Sequence, residues 1–235
     1  MKYSLHIHTS SSLCSSNKPE EVLSYAKKRG LNGVAITDHN TIAGALETYK
    51  LNKDKNFEVV VGEEVSTDVG HVLVLYVKKA ILPGKIEDVL KEAKRQDAIC
   101  ILAHPYNLFQ DKFLKGLGGK NGRKSITSDN LDKVKLFDAV EGFNARCFLK
   151  KDNEMAMILA KKYGKTIVAG SDAHFPNEIC NTYVEFDKKY TLRQAIKKNH
   201  IKIYGEKRYL FINKLRSTIK VYAGKNKKQY KIGAD

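Results

Sequence analysis

Short apolar runs rich in valine, isoleucine and leucine alternate along the chain with stretches whose apolar positions recur at helical spacing. That is the pattern of strand and helix units building a mostly parallel sheet. Tyr3 to His8 reads as a strand, Pro19 to Arg29 as a helix opened by proline and closed at Gly30, and Gly33 to Thr37 as a second strand. A helix over Thr41 to Leu51 follows, then strands over Glu58 to Val61 and Val72 to Val77, a helix over Ile86 to Gln96 and a strand over Ile99 to Ala103. The alternation resumes with a strand over Asp138 to Phe143, a helix over Glu154 to Tyr163 ending at Gly164, strands over Thr166 to Ala169 and Tyr183 to Phe186, and a helix over Leu192 to Lys198. Phe109 to Ser128 breaks the rhythm with Gly116, Gly118, Gly119 and Gly122 among Lys115, Lys120, Arg123 and Lys124. It reads as a mobile loop. Its spacing matches neither a P-loop nor a dinucleotide fingerprint, so a plain flexible loop and a loop closing over phosphate both stand open.

The chain has 235 residues, a length that an α/β barrel uses as one unit, and we divide it into a barrel over 1–204 and a basic C-terminal extension over 205–235. No run of about 18 apolar residues and no secretory leader pattern is visible, so no membrane partner and a cytoplasmic location are expected. Cys14, Cys100, Cys147 and Cys180 show no C-x-x-C spacing, which favours reduced thiols.

Charge changes the picture in one region. The formal net charge is +16, and between Lys207 and Lys231 nine cations occur without an acid. Such an excess raises the local concentration of phosphate-bearing substrates or nucleic acid, or simply solvates the surface. Tyr204, Tyr209, Tyr222 and Tyr230 lie among these cations, where aromatics can stack bases. The other reading, which we prefer, is packing in short strands over Tyr209 to Ile212 and Ile219 to Tyr222.

The histidines carry the chemistry. His6, His8, His39, His71, His104 and His174 all lie in or beside an expected strand, most at its C-terminal end. In a parallel barrel those ends gather on one face, where catalytic groups sit. His71 precedes its strand, so it reaches that face only if Val72 to Val77 runs antiparallel to the strand before it. His6 with His8, and Asp172 with His174, are i, i+2 pairs on one side of an extended backbone, each able to clasp a metal. Imidazole mixed with carboxylate suits zinc, manganese or iron. His39 is assigned inward with Asp38 orienting it, and Glu64 rather than Glu63 faces the cavity on the parity of the pleat with Gly62. His200, after a lysine-rich helix end, is set apart from this group.

Six segments in order, Leu5-His6-Ile7-His8-Thr9, Thr37-Asp38-His39-Asn40-Thr41, Gly62-Glu63-Glu64-Val65-Ser66, Gly70-His71-Val72-Leu73, Ala103-His104-Pro105 and Gly170-Ser171-Asp172-Ala173-His174, resemble the successive motifs of the PHP (polymerase and histidinol phosphatase) family. The resemblance runs from Met1 to about Phe186. It implies a distorted (β/α)7 barrel with two or three divalent metal ions at the C-terminal ends of the strands, and hydrolysis of phosphoesters. Carried over, it gives one metal to His6, His8, Glu64 and Asp172, a second to His71 and His104 with Glu64 bridging, and His39 and His174 to a third. Where family members usually add an Asp or His after the serine matching Ser12, this chain has Leu13 and Cys14. Either Cys14 ligates a soft metal or the third site is weak or vacant; the reading we favour places Cys14 close to the metals without ligating.

The expected enzyme is a metal-dependent phosphatase with a metal-bridging hydroxide as nucleophile, acting on a small phosphorylated metabolite or nucleotide. Asp172, His174 and Arg146 are its candidate catalytic residues. Arg146 follows the strand ending near Phe143, where its guanidinium would hold the substrate phosphate, or would form an ordinary surface ion pair. The alternative is a nucleic-acid-binding protein or nuclease that uses the basic C-terminus.

Overall fold

A computed structural model describes residues 1–107, 128–205 and 216–221. Residues 109–127 of the glycine-rich segment, and the strand expected over Tyr209 to Ile212, lie outside the described residues.

Nine strands form one sheet: β1 (Lys2–Ile7), β2 (Gly33–Ile36), β3 (Glu58–Thr67), β4 (Gly70–Leu75), β5 (Ile99–Leu102), β6 (Ala139–Asn144), β7 (Thr166–Gly170), β8 (Thr182–Glu185) and β9 (Lys202–Gly205), in the order β7-β6-β5-β4-β3-β2-β1-β8-β9. Helices α1 (Pro19–Lys28), α2 (Ala43–Leu51), α3 (Ile86–Arg95), α4 (Lys150–Lys162) and α5 (Leu192–Lys197) follow the alternation expected from the sequence. The sheet curls into a nearly closed barrel. At its C-terminal end β1 meets the chain leaving β7, with His8 N donating to Ala173 O at 2.9 Å and Ala173 N to His6 O at 3.2 Å. At its N-terminal end the same edge of β1 instead pairs with β8, through Lys2 and Tyr3. The β8–β9 hairpin thus fills the lower part of the seam.

The barrel interior below the site is one apolar cluster to which every one of the first eight strands contributes, including Leu5, Ala35, Val60, Leu73, Ile101, Ala139, Val168 and Val184. Leu192, Ala195 and Ile196 of α5 close its floor. Outside, α1 and α2 cover Ile7, Val34 and Ile36, and α3 and α4 cover Val74, Leu102 and Val140. Strands buried on both faces explain the near-continuous apolar runs.

Three elements differ from expectation. β3 does not end near Val61 but continues to Thr67, because beyond Gly62 it pairs antiparallel with β4 in a hairpin turning at Asp68 and Val69. His71 therefore lies inside β4, and the antiparallel direction it needs is present. Second, β9 pairs antiparallel with β8 where no strand is expected. Third, residues 216–221 are helical, so the strand expected over Ile219 to Tyr222 is wrong for its described part. We call this helix α6; its isoleucine is exposed and its buried residue is Ser217, so it docks by a polar contact rather than by an apolar stripe.

Candidate metal centre

All eight residues expected to ligate metal converge at one end of the barrel, and two kinds of backbone irregularity help to put some of them there. In β1, Tyr3 and Leu5 face the interior, yet the register shifts between Ser4 and Ile7, which turns the even positions His6 and His8 inward. A second shift in β6, between Glu141 and Phe143, brings Glu141 and Asn144 to the same side. His104 and Asp172 occupy left-handed backbone conformations, with φ of 26° and 50°. Such conformations are unfavourable for most residues and collect where a side chain must be re-aimed at a functional site. Glu64 and His71 need no irregularity; they follow the alternation of the β3–β4 hairpin.

Glu64 is the hub. Its Oε1 lies 2.6 Å from His71 Nδ1 and 2.9 Å from His104 Nε2. Its Oε2 lies 2.9 Å from His39 Nδ1, 3.4 Å from His8 Nε2 and 3.5 Å from His6 Nε2. This second oxygen is buried and accepts no hydrogen bond. His6 and His8 approach each other Nε2 to Nε2 at 3.1 Å, and Asp172 Oδ1 stands 3.6 Å from His6, 3.3 Å from His8 and 3.4 Å from His174 Nδ1. Four overlapping sets each gather ligand atoms within 4.8 Å of one another: His6, His8 and Glu64; His39, Glu64 and His71; His8, His39 and His174; His6, His104 and Glu141. A buried carboxylate ringed by imidazole nitrogens that face one another fits a cation between them. The donor set of neutral nitrogens and hard oxygens suits first-row divalent metals.

The electrostatics agree. Burial alone would raise the pKa of Glu64, but the imidazoles of His71, His39 and His6 hold it well below the ordinary carboxylate value. Asp172 is likewise penalised by burial and carried well below its ordinary value by His6, His8, His174 and Arg146. Burial and Arg146 push His174 down, and burial and His39 push His8 down. His6 and His39 go the other way, the acids around them outweighing burial, His39 to about 10. Two buried ionised acids are thus held among positively charged neighbours.

Glu141 is a functional residue that the sequence analysis does not find. Fully buried, it takes His6 Nδ1 on Oε1 at 2.8 Å, and its Oε2 accepts from the His104 main chain at 2.8 Å and from Asn144 at 3.0 Å. It fixes the tautomer of His6, leaving Nε2 for a metal, and it anchors the strained turn at His104. The only signal is an acid between apolar neighbours in a strand buried on both faces. Asp38 corrects a second expectation: it does not orient the His39 ring, but accepts from Thr9 N, Thr9 Oγ1 and Ser12 Oγ at 2.7, 2.7 and 2.6 Å. The reason is that β2 ends at Ile36, so the pleat no longer governs residues 37–39, and Asp38 turns to tie down the loop after β1. Cys14 is buried with its thiol beside His39, and it belongs to none of the four ligand sets. Arg146 is no surface residue: it is buried, paired with Glu178 at 2.9 Å. His200 stacks on Tyr190 with ring centroids 4.8 Å apart, away from the centre, and Tyr204 stacks on Tyr183 at 5.1 Å.

An α/β barrel carrying six imidazoles and two acids on one face belongs to the class of metal-binding barrels. More specifically, the chain belongs to the PHP domain family, whose sequence profile matches residues 4–214. An uncharacterized protein of Methanocaldococcus jannaschii is 31% identical over 194 residues, covering 80% of this chain and 71% of that one. A protein of Caldicellulosiruptor saccharolyticus named a probable phosphatase is 28% identical over 203 residues, 74% of this chain and 80% of that one. Among solved structures, a two-domain protein from Bacteroides vulgatus containing a predicted PHP-like metal-dependent phosphoesterase superposes with a TM-score of 0.67 at 15% identity, over 88% of this chain. The chain spans 65% of the length of that protein, and the likeness speaks for the fold. No described helix is long and apolar enough to cross a membrane.

Proposed function

We propose that the protein is a metal-dependent phosphatase acting on a small phosphorylated metabolite or nucleotide, with His6, His8, His39, Glu64, His71, His104, Asp172 and His174 as its metal ligands. The observation that carries this reading is the divided orientation of Glu64, one oxygen toward His71 and His104 and the other toward His6, His8 and His39, so that each oxygen would be available to hold a cation with its own group of imidazoles. Bound divalent ions would supply Lewis-acid charge to a phosphoryl group and acidify water at neutral pH. Asp172 and His174 would help to hold those ions, and Asp172 feels the charge of Arg146. Arg146, fixed by Glu178, would set a guanidinium charge against the substrate phosphate. The name of the C. saccharolyticus relative supports the same activity.

Residues 205–235 are proposed as a basic extension of the barrel, and its described helix α6 contacts the barrel through Ser217 with Arg146 and Lys220 with Ser15. The test is elemental analysis of the purified protein together with turnover of p-nitrophenyl phosphate, mononucleotides and short RNA in added manganese or zinc. Bound metal with hydrolysis of the small esters is expected. Absence of metal, or cleavage of RNA alone, defeats the proposal.

A further inference from the structure

Helix α6 stands outside the barrel's alternation, yet it touches the site at two separate points. Ser217 is buried, and its hydroxyl accepts from Arg146 Nη2 at 3.2 Å, while Nη1 of the same guanidinium pairs with Glu178 at 2.9 Å. Glu178 Oε2 also accepts from the main-chain N of His174 at 2.8 Å, so the arginine is tied to the segment that carries Asp172 and His174. Three residues along α6, on the same side of the helix, Lys220 Nζ donates to the Ser15 carbonyl at 3.2 Å. The Ser15 hydroxyl in turn lies 2.9 Å from His8 O and 3.0 Å from His174 O. One short helix therefore bridges the turn after β6 and the loop after β1, the two flanks of the metal centre.

Each contact has a physical consequence. A guanidinium gripped by a carboxylate at one nitrogen and a hydroxyl at another has its plane fixed, and it keeps less rotamer freedom to lose when an anion binds. Lys220 is an exposed ammonium fixed on the loop after β1, so a second positive charge stands on the flank opposite the one that carries Arg146. A monoester phosphate carries close to two negative charges at neutral pH and a diester one, so a second cation rewards the monoester. Resting on the phosphatase reading above, we infer that α6 is a working part of the site. Ser217 is the positioning residue for Arg146, and Lys220 is a specificity determinant that favours phosphate monoesters over diesters.

The experiment compares wild type with Ser217→Ala, Ser217→Thr and Lys220→Ala on p-nitrophenyl phosphate and bis(p-nitrophenyl) phosphate. Metal content is checked by elemental analysis, and inorganic phosphate binding is measured by calorimetry. Ser217→Ala and Lys220→Ala are expected to raise KM for the monoester, and Kd for inorganic phosphate, about five- to tenfold with little change in kcat, the size of one ordinary hydrogen bond. Diester KM should change little in Lys220→Ala, and Ser217→Thr, which keeps the hydroxyl, should restore monoester binding. Wild-type phosphate affinity in both alanine variants, or a wild type that prefers the diester, overturns the inference while leaving the phosphatase reading intact. If metal-replete wild type cleaves neither ester, the underlying reading fails and this one with it.

Discussion

Glu141 lies directly against the main chain of Gly170: a Cβ built on that glycine would overlap the Glu141 carboxylate and come within 2.8 Å of the His6 Cβ. The glycine is required by this close approach, since only a hydrogen there leaves room for the carboxylate that orients His6 and anchors His104. Gly170→Ala removes no metal ligand, but should cost about 1–3 kcal/mol of stability, the usual penalty for overpacking a core, and reduce bound metal. Chemical denaturation with elemental analysis would check both. Wild-type metal content in this variant would show that the position of Glu141 does not matter.

Asp172 combines a carboxylate proposed as a metal ligand with a left-handed backbone. Alanine there would remove the acid and also strain the chain by about 1–2 kcal/mol, whereas asparagine tolerates that conformation. Asp172→Asn should therefore keep the wild-type melting temperature of the metal-free protein while losing metal and turnover. A variant retaining full metal stoichiometry would remove Asp172 from the ligand set.

Glu63, the neighbour that faces away from the histidines, has Oε1 accepting from Ile81 N at 2.6 Å and Oε2 buried without a hydrogen bond. Burial raises its pKa to about 7, the Ile81 hydrogen bond opposing only in part. An acid whose folded pKa exceeds its unfolded value near 4.5 holds its proton longer when folded. Stability contributed by the neutral form is complete below about 4.5 and is lost as pH rises through about 7. Glu63→Gln keeps the acceptor and cannot ionise, so it should melt higher than wild type at alkaline pH and equally at acidic pH. Thermal melts at both ends of the window decide the matter.

His39, held near 10 by Glu64 and Cys14 against the effect of burial, and His6, also raised, carry protons at neutral pH when no cation is bound. Metal must displace those protons, so apparent affinity should increase with pH up to about 10, and binding should release protons. Chelator competition across this range, with calorimetry in buffers of different ionisation enthalpy, measures both. Affinity independent of pH would mean that these imidazoles do not ligate.

The parity of regular elements is legible in the chain itself. Glu64 and His71 obey the two-residue period of their strands, and His6 and His8 share a side even though β1 is irregular. Glu141 is not legible in this way, because a single acid in a strand gives no spacing to recognise, and its partners come from β1 and the turn after β5. Asp38 departs from expectation because pleat parity does not hold past the end of β2.

The sequence by itself determined the α/β alternation, the residue types of the metal centre and their order along the chain, because hydrophobic period and ligand chemistry are local properties. Only the tertiary structure decided which way the side chains point at His6, His104 and Asn144, where register shifts and a left-handed residue override the pleat. It also decided that Ser217 and Lys220 reach the site, since a polar contact between residues 71 or 205 positions apart leaves no periodic trace in the chain.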